Sequence, residues 1–156
     1  MSPLRFGIVG YGNIGRTHAQ TLSAGAVARA NLTAVATQSD DELPAGVARF
    51  AEVDAMLAAD VVDAVIVATP TFSHGAMGAK VLAANKHLVM EKPVGMSVGE
   101  AQALVDQVPD GVVAAVMLNQ RHHPAYQAMQ AAVAGGELGR LVRFSWIMTE
   151  WYRPDI

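Results

Sequence analysis

Short apolar runs alternate along the chain with longer segments in which apolar residues recur at helical spacing. The clearest run, DAVIVAT at residues 63–69, is continuous and rich in β-branched residues, as in a strand buried on both faces. This alternation predicts an α/β fold with a mostly parallel sheet. The expected strands are residues 4–9, 32–37, 48–50, 63–69, 86–90 and 112–116, and the expected helices are residues 13–24, 54–59, 74–85, 97–108 and 125–134.

Polar residues and helix breakers mark the boundaries of these elements. Thr71 or Ser73 can cap the helix that begins near residue 74, and Ser97 with Glu100 has the spacing of a capping box. Residues 38–47 contain acids, a proline and a glycine but little helical periodicity. We therefore expect a loop or a single helical turn there, where a doubly wound fold usually has a complete crossover helix.

The last predicted element is a strand at residues 141–151, where apolar and polar residues alternate. A single strand cannot satisfy its backbone groups or bury its apolar face alone. We therefore expect self-association through this strand, or further strands from a missing remainder of the polypeptide. The apolar face consists of Val142, Phe144, Trp146 and Met148.

Composition narrows the function classes. The chain has 156 residues, a formal net charge of -3 and no basic block, which argues against nucleic acid or an acidic membrane surface as a partner. It has no cysteine, which excludes disulfides, cysteine-ligated metals and a thiol nucleophile. The start lacks the apolar core of a signal peptide, and the longest apolar run, residues 61–70, is too short to span a bilayer. We expect a soluble, cytoplasmic protein.

A glycine-rich turn, G-Y-G-N-I-G at residues 10–15, lies between the first predicted strand and the first predicted helix. Gly10 would allow a sharp turn out of the strand, Gly12 would let a pyrophosphate approach the main chain, and Gly15 would let the helix pack closely on the sheet. The N–H groups and positive dipole end of the helix would face the anion. The alternative is an ordinary strand-to-helix turn, but the strand before it and the helix after it favour dinucleotide binding.

Further candidate residues follow the later strands, whose carboxyl ends share one edge of a parallel sheet. Glu91, Lys92 and Pro93 follow the fifth strand, where Glu91 could hold or tune the lysine ammonium. A positive nicotinamide ring nearby would favour the neutral amine of Lys92, which helps proton transfer. The alternative is a surface ion pair.

The segment ATPT at residues 68–71 could pack against a dinucleotide, and His74 could reach a ribose or phosphate. The alternative is a capping turn with a solvated histidine. The segment at residues 119–124 follows the sixth strand, and its adjacent His122 and His123 have no third ligand at a suitable spacing, so no metal site is predicted.

Together these segments resemble the glucose–fructose oxidoreductase and inositol dehydrogenase (Gfo/Idh/MocA) family of NAD(P)-dependent oxidoreductases, over residues 4–154. The resemblance implies a Rossmann-type, doubly wound sheet as the dinucleotide-binding domain at residues 1–120. Residues 121–156 would then be the first helix and strand of an incomplete α+β domain for substrate binding and dimerisation. The expected cofactor-binding residues are Gly10, Tyr11, Gly12, Asn13, Ile14, Gly15, Thr37, Gln38, Ala68, Thr69, Pro70, Thr71, His74, Glu91, Lys92, Asn119 and Arg121.

The implied function is hydride transfer between the cofactor and a hydroxyl or carbonyl carbon of a sugar, polyol or related compound. Lys92 would be the catalytic residue, contacting the substrate hydroxyl and assisting proton transfer, in a homo-oligomer formed through the C-terminal sheet. The family's second domain supplies an aspartate and a histidine in a D-x-x-x-H pattern, which this chain lacks. The alternative is therefore a non-catalytic NAD(P)-binding module, or a short homologue that has lost catalysis.

The cofactor is expected to be NADP rather than NAD. An NAD site usually offers an acid about twenty residues past the glycine turn, bonded to the ribose 2′-OH. That position falls on the neutral Thr37, followed by Gln38, and both can accept a 2′-phosphate without repulsion. Against this expectation, no arginine follows, and Asp40 and Asp41 are close.

Overall fold

Six strands pair in parallel into one sheet within residues 2–147, the part of the chain that the computed structural model describes. The strand order is β3-β2-β1-β4-β5-β6, so the chain adds β2 and β3 on one side of β1 and β4 to β6 on the other. At this switch point the carboxyl ends of β1 and β4 flank a crevice. The strands are β1 Leu4–Val9, β2 Ala30–Ala36, β3 Ala48–Phe50, β4 Ala64–Val67, β5 His87–Met90 and β6 Ala114–Val116. The predicted α/β, Rossmann-type, doubly wound fold is confirmed.

Five α-helices accompany the strands in the described residues. They are α1 Asn13–Ser23, α2 Val53–Ala58, α3 His74–Ala83, α4 Val98–Val105 and α5 Pro124–Ala134, with short 3₁₀ turns at Thr71–Ser73 and Asn119–His122. No helix joins β2 to β3, as the sequence predicts for residues 38–47. None of the helices in the described residues is long and apolar enough to cross a membrane.

Strand β4 is buried throughout, and its side chains alternate between two hydrophobic clusters. Val65 and Val67 belong to the cluster that contains Met56 of α2 and Leu82 of α3. Ile66 belongs to the other cluster, with Ala19 and Leu22 of α1. Successive side chains of a strand point to opposite faces, so a continuous apolar run is what a sheet covered on both faces requires.

An ion pair joins the amino ends of the two central strands, β1 and β4. The glycine turn lies at the other, carboxyl, end of β1. Arg5 Nη2 lies 2.6 Å from Asp63 Oδ1, and the Arg5 backbone N–H donates to Asp63 Oδ2 over 2.9 Å. Hydrogen bonds from the Arg5 guanidinium lower the pKa of Asp63 to about 2, because they favour the charged carboxylate.

The predicted caps are only partly correct. Ser73 does not cap α3: its hydroxyl lies 2.8 Å from both Thr69 Oγ1 and the Pro70 carbonyl oxygen. The reason is that Thr71–Ser73 forms a 3₁₀ turn, so Ser73 lacks the extended backbone that a capping residue needs. Ser97 does accept from the Glu100 N–H over 3.2 Å, but the Glu100 carboxylate accepts from the Met96 N–H, which completes only half of a capping box.

The described residues divide into two units between Leu118 and Asn119, and the second unit contains α5. The predicted strand at residues 141–151 is wrong for residues 141–147, which form no strand, and its remainder lies outside the described residues. Among residues 2–147 no strand pairs with this segment, and an extended chain needs such a neighbour to satisfy its N–H and C=O groups. The rings of Tyr126 and Phe144 instead lie 5.5 and 6.4 Å from that of Trp146.

Candidate dinucleotide-binding site

The glycine turn joins β1 to α1 in a conformation that explains two of its glycines by packing alone. Gly10 has a φ of 92°, and a Cβ there would lie 2.8 Å from the Ala68 carbonyl oxygen. A Cβ on Gly15 would lie only 2.1 Å from the Gly10 carbonyl oxygen. Any larger residue at Gly10 or Gly15 would therefore clash with backbone.

Gly12 is different, because a Cβ built there meets nothing within 4 Å. Packing therefore does not demand glycine at this position. Gly12 is the residue before α1, and no side chain caps the first N–H groups of the helix. Open space at the uncapped N-terminus of an 11-residue helix fits an anion that approaches the main chain closely, as a pyrophosphate does.

The residues between the three glycines contribute unequally. Tyr11 packs its ring into the core, and the Arg16 guanidinium carbon lies 5.8 Å from the ring centre. Asn13 and Ile14 are exposed in the first turn of α1. The turn therefore offers backbone at Gly12 and exposed side chains at Asn13 and Ile14, while the Tyr11 side chain holds the turn on the sheet.

A cavity of about 210 Å³ opens at the carboxyl ends of β1, β2 and β4, next to the glycine turn. Gln38 turns its amide to the segment before α2, donating to the Ala51 carbonyl over 2.8 Å and to Glu52 Oε1 over 3.0 Å. Because the cavity opens at the carboxyl ends of the strands, it lies where an open α/β sheet binds its ligand. The lining residues include Gly10, Thr37, Gln38, Glu52, Thr69, Met77 and Lys80.

His74 is buried, with 1% of its surface exposed, so the solvated histidine considered from the sequence is wrong. Its Nδ1 lies 2.6 Å from the Pro93 carbonyl oxygen and its Nε2 lies 2.8 Å from the Thr69 carbonyl oxygen. Both ring nitrogens therefore lie against backbone carbonyl oxygens, and a neutral ring donates to one of them, while the predicted contact of His74 with a ribose or phosphate stays a prediction. The ring ties the segment after β4 to the segment after β5, which positions Thr69, Pro70 and Thr71.

Glu91 is tied to α1 rather than to the lysine ammonium. Its Oε1 lies 2.8 Å from Nε2 of His18, and both side chains are largely buried. Its Oε2 accepts from the Lys92 backbone N–H over 3.2 Å. The Lys92 side chain is exposed, and within the described part of the chain its ammonium forms no salt bridge.

His18 is a residue of the site that sequence reasoning missed. The helical period could have indicated it, because His18 lies three residues after Gly15 and directly before Ala19, both of which face the sheet. Its contact with Glu91 joins residues 73 apart in sequence, which no local pattern reveals.

Asn119 and Arg121 belong to the second unit, in the 3₁₀ turn Asn119–His122. Asn119 Oδ1 accepts from the Gln120 N–H over 2.9 Å. Arg121 lines a cavity of about 400 Å³ together with Tyr126, Gln127 and Gln130. The predicted contact of Asn119 and Arg121 with a cofactor stays a prediction.

A parallel sheet with a glycine turn and an uncapped helix at its switch point defines a dinucleotide-binding domain. Residues 4–117 match the family model described as the oxidoreductase family with an NAD-binding Rossmann fold. The chain therefore belongs to this family, as the resemblance in its motifs implies.

Curated relatives with matching sequences include polyol and sugar-nucleotide dehydrogenases. The chain is 31% identical to inositol 2-dehydrogenase of Rhizobium meliloti over 88% of its own length and 43% of the relative. It is 33% identical to UDP-N-acetylglucosamine 3-dehydrogenase of Acidithiobacillus ferrooxidans, over 86% of its own length and again 43% of the relative. The chain thus spans less than half the length of these relatives.

Among solved structures, scyllo-inositol dehydrogenase from Lactobacillus casei, with bound NAD(H) and scyllo-inositol, superposes with a TM-score of 0.80. It is 26% identical and is matched over 88% of this chain and 43% of that one. The WlbA dehydrogenase from Bordetella pertussis, in complex with NADH and UDP-GlcNAcA, gives a TM-score of 0.81 at 28% identity over 89% and 42% of the two chains.

Proposed function

We propose that the chain is the cofactor-binding part of an NAD(P)-dependent oxidoreductase that acts on a hydroxyl or carbonyl carbon of a sugar, polyol or related compound. The observation that carries this proposal is the open backbone at Gly12, at the uncapped start of α1. The similar dehydrogenases act on inositols and on a UDP-sugar, and this supports the substrate class.

Oxidation of a CH–OH group releases a hydride and a proton. The nicotinamide, when bound, accepts the hydride. We assign the proton to Lys92, whose exposed amine follows β5 at the carboxyl edge of the sheet. The pairing of Glu91 with His18 supports this role, because Glu91 then fixes the backbone N–H of Lys92 without engaging its amine.

The test is turnover of the complete reading frame on a panel of polyols and sugar nucleotides, with both cofactors. Lys92→Met should remove turnover and keep cofactor affinity, because the amine acts on the substrate proton. The matched control is Lys86→Met, since Lys86 pairs with Asp60 away from the carboxyl edge of the sheet. Turnover of Lys92→Met within about tenfold of wild type would leave Lys92 without a catalytic role. Cofactor binding without turnover on any substrate would favour the non-catalytic binding module.

We further propose a preference for NADP. Thr37 is neutral at the carboxyl end of β2, where an acid would repel a 2′-phosphate, and its hydroxyl accepts from the Ser39 N–H over 3.0 Å. Titration of the chain with NADPH and NADH tests the preference. Clearly tighter binding of NADH would refute it.

Homo-oligomerisation through the C-terminal region is also part of the proposal, as is a cytoplasmic location. Val142, Phe144 and Ile147 are mostly exposed in the second unit, and such apolar side chains favour association. Light scattering should give a mass above 16.4 kDa, and a strict monomer would contradict the proposal. Cell fractionation tests the location.

A further inference from the structure

A charged cluster of Arg16, Ser39, Asp41 and Arg49 lies beside the glycine turn. Arg16 Nη2 lies 2.6 Å from Asp41 Oδ2, and Arg16 Nε donates to the Tyr11 carbonyl over 3.2 Å. The same carboxylate oxygen of Asp41 accepts from the Ser39 hydroxyl. The Arg49 guanidinium donates to the backbone carbonyls of Ser39 and Asp41.

The position of this cluster connects two parts of a dinucleotide site. Arg16 directly follows Gly15, and its contact with the Tyr11 carbonyl brings its guanidinium back to the glycine turn. Ser39 and Asp41 lie on the loop after β2, where a dinucleotide fold reads the 2′ position of the adenosine ribose. Arg16 is therefore a cation between the turn that takes the pyrophosphate and the loop that reads the ribose.

The contacts around Asp41 are those that a phosphate monoester would make. One guanidinium and one hydroxyl hold its carboxylate, and both groups donate equally well to phosphate oxygens. Arg49 fixes the loop through backbone carbonyls alone, so the loop keeps its shape if the Asp41 side chain leaves. Arg16 and Asp41 are both partly exposed, so a ligand can reach the pair, and an exposed ion pair contributes little to stability.

We propose that Arg16 and Ser39 bind the 2′-phosphate of NADP(H), and that the Asp41 carboxylate is an internal anion that this phosphate displaces. Arg16 is then the phosphate-binding cation, because Arg49, the other cation of the cluster, donates to the backbone carbonyls of the loop. Asp41 weakens NADP(H) binding by competing for the same donors, whereas NAD(H) has only a hydroxyl at this position and leaves the pair intact. This inference rests on the proposed binding of a dinucleotide over the glycine turn.

The experiment is a fluorescence titration of the chain with NADPH and NADH, for wild type, Arg16→Met and Asp41→Asn. Arg16→Met should weaken NADPH binding by about tenfold, the size of a lost charge-assisted contact, and leave NADH affinity within about twofold. Asp41→Asn should tighten NADPH binding several-fold, because it removes the competing charge, and should leave NADH affinity unchanged. The matched control is Arg29→Met, since Arg29 lies at the amino end of β2, away from the glycine turn.

Three results would overturn the inference alone. Equal weakening of both cofactors by Arg16→Met would make Arg16 a support of the glycine turn. An unchanged NADPH-to-NADH ratio in Asp41→Asn would make the pair an ordinary surface salt bridge, and lost NADH affinity would make Asp41 a ligand of the ribose hydroxyl. Binding of neither cofactor to wild type would overturn the proposed function and the inference together. If circular dichroism finds Arg16→Met unfolded, Asp41→Asn, which keeps the side-chain size, decides the outcome.

Discussion

Replacing His74 with leucine is expected to destabilise the fold and loosen the edge of the sheet that carries the candidate site. His74 is buried, and its ring nitrogens lie 2.6 and 2.8 Å from the carbonyl oxygens of Pro93 and Thr69. Leucine fills similar apolar volume but donates no hydrogen bond. A neutral imidazole carries one N–H, so the leucine variant loses one hydrogen bond to a carbonyl oxygen, which costs about 1–2 kcal/mol.

Urea unfolding monitored by circular dichroism measures this cost. With a slope of about 1.5 kcal/mol per molar urea, the midpoint should fall by about 1 M. The matched variant is His74→Gln, whose amide N–H can restore the lost hydrogen bond and should recover part of the loss. Hydrogen exchange should accelerate in the segments around Thr69 and Pro93 before it does so in β4, because those segments lose their shared contact. A leucine variant within about 0.5 kcal/mol of wild type would refute this account of the ring.

Two further substitutions test the contacts at the two ends of the central strands. The pKa of Asp63 is lowered from 3.8 to about 2 in the folded protein, so its charged carboxylate stabilises the fold at pH values above 3.8. That contribution is lost as the pH falls towards about 2. Asp63→Asn should therefore cost about 1 kcal/mol at pH 7, after discounting for solvent screening, and progressively less as the pH falls to 2; a cost that does not vary with pH would contradict this. Gly15→Ala puts a Cβ 2.1 Å from the Gly10 carbonyl oxygen, so it should cost about 1–3 kcal/mol and weaken cofactor binding; an unchanged urea midpoint would show that the turn has more room.

Most of the sheet could be predicted because its determinants are local. Strand β4 lies within the predicted residues 63–69, since a β-branched run bounded by polar residues suits only a strand covered on both faces. The glycine turn was readable for the same reason. A positive φ at Gly10 and a backbone contact at Gly15 each demand glycine at a fixed place between strand and helix.

Contacts between distant segments were not predictable. The sequence around His74 fits either an exposed residue of a capping turn or a buried ring that joins two segments. Only the position of the Pro93 carbonyl decides between them. Glu91 has a lysine beside it in sequence but binds His18, because α1 brings that ring to the end of β5. The prediction of a strand is wrong at residues 141–147 for a related reason. Alternation describes the faces of a strand, but a strand also needs a neighbouring strand, which the pattern does not provide.

The central claim is that a dinucleotide binds over the glycine turn, and Gly12→Val tests it most directly. A Cβ at Gly12 meets nothing within 4 Å, so the variant should fold with an unchanged urea midpoint, while its two methyl groups occupy the space that the pyrophosphate needs. The control is Gly99→Val, at another exposed glycine, in the first turn of α4. We predict that fluorescence titration with NADPH and NADH detects binding to wild type and to the control but not to Gly12→Val. Unchanged affinity in a folded Gly12→Val variant would contradict the account.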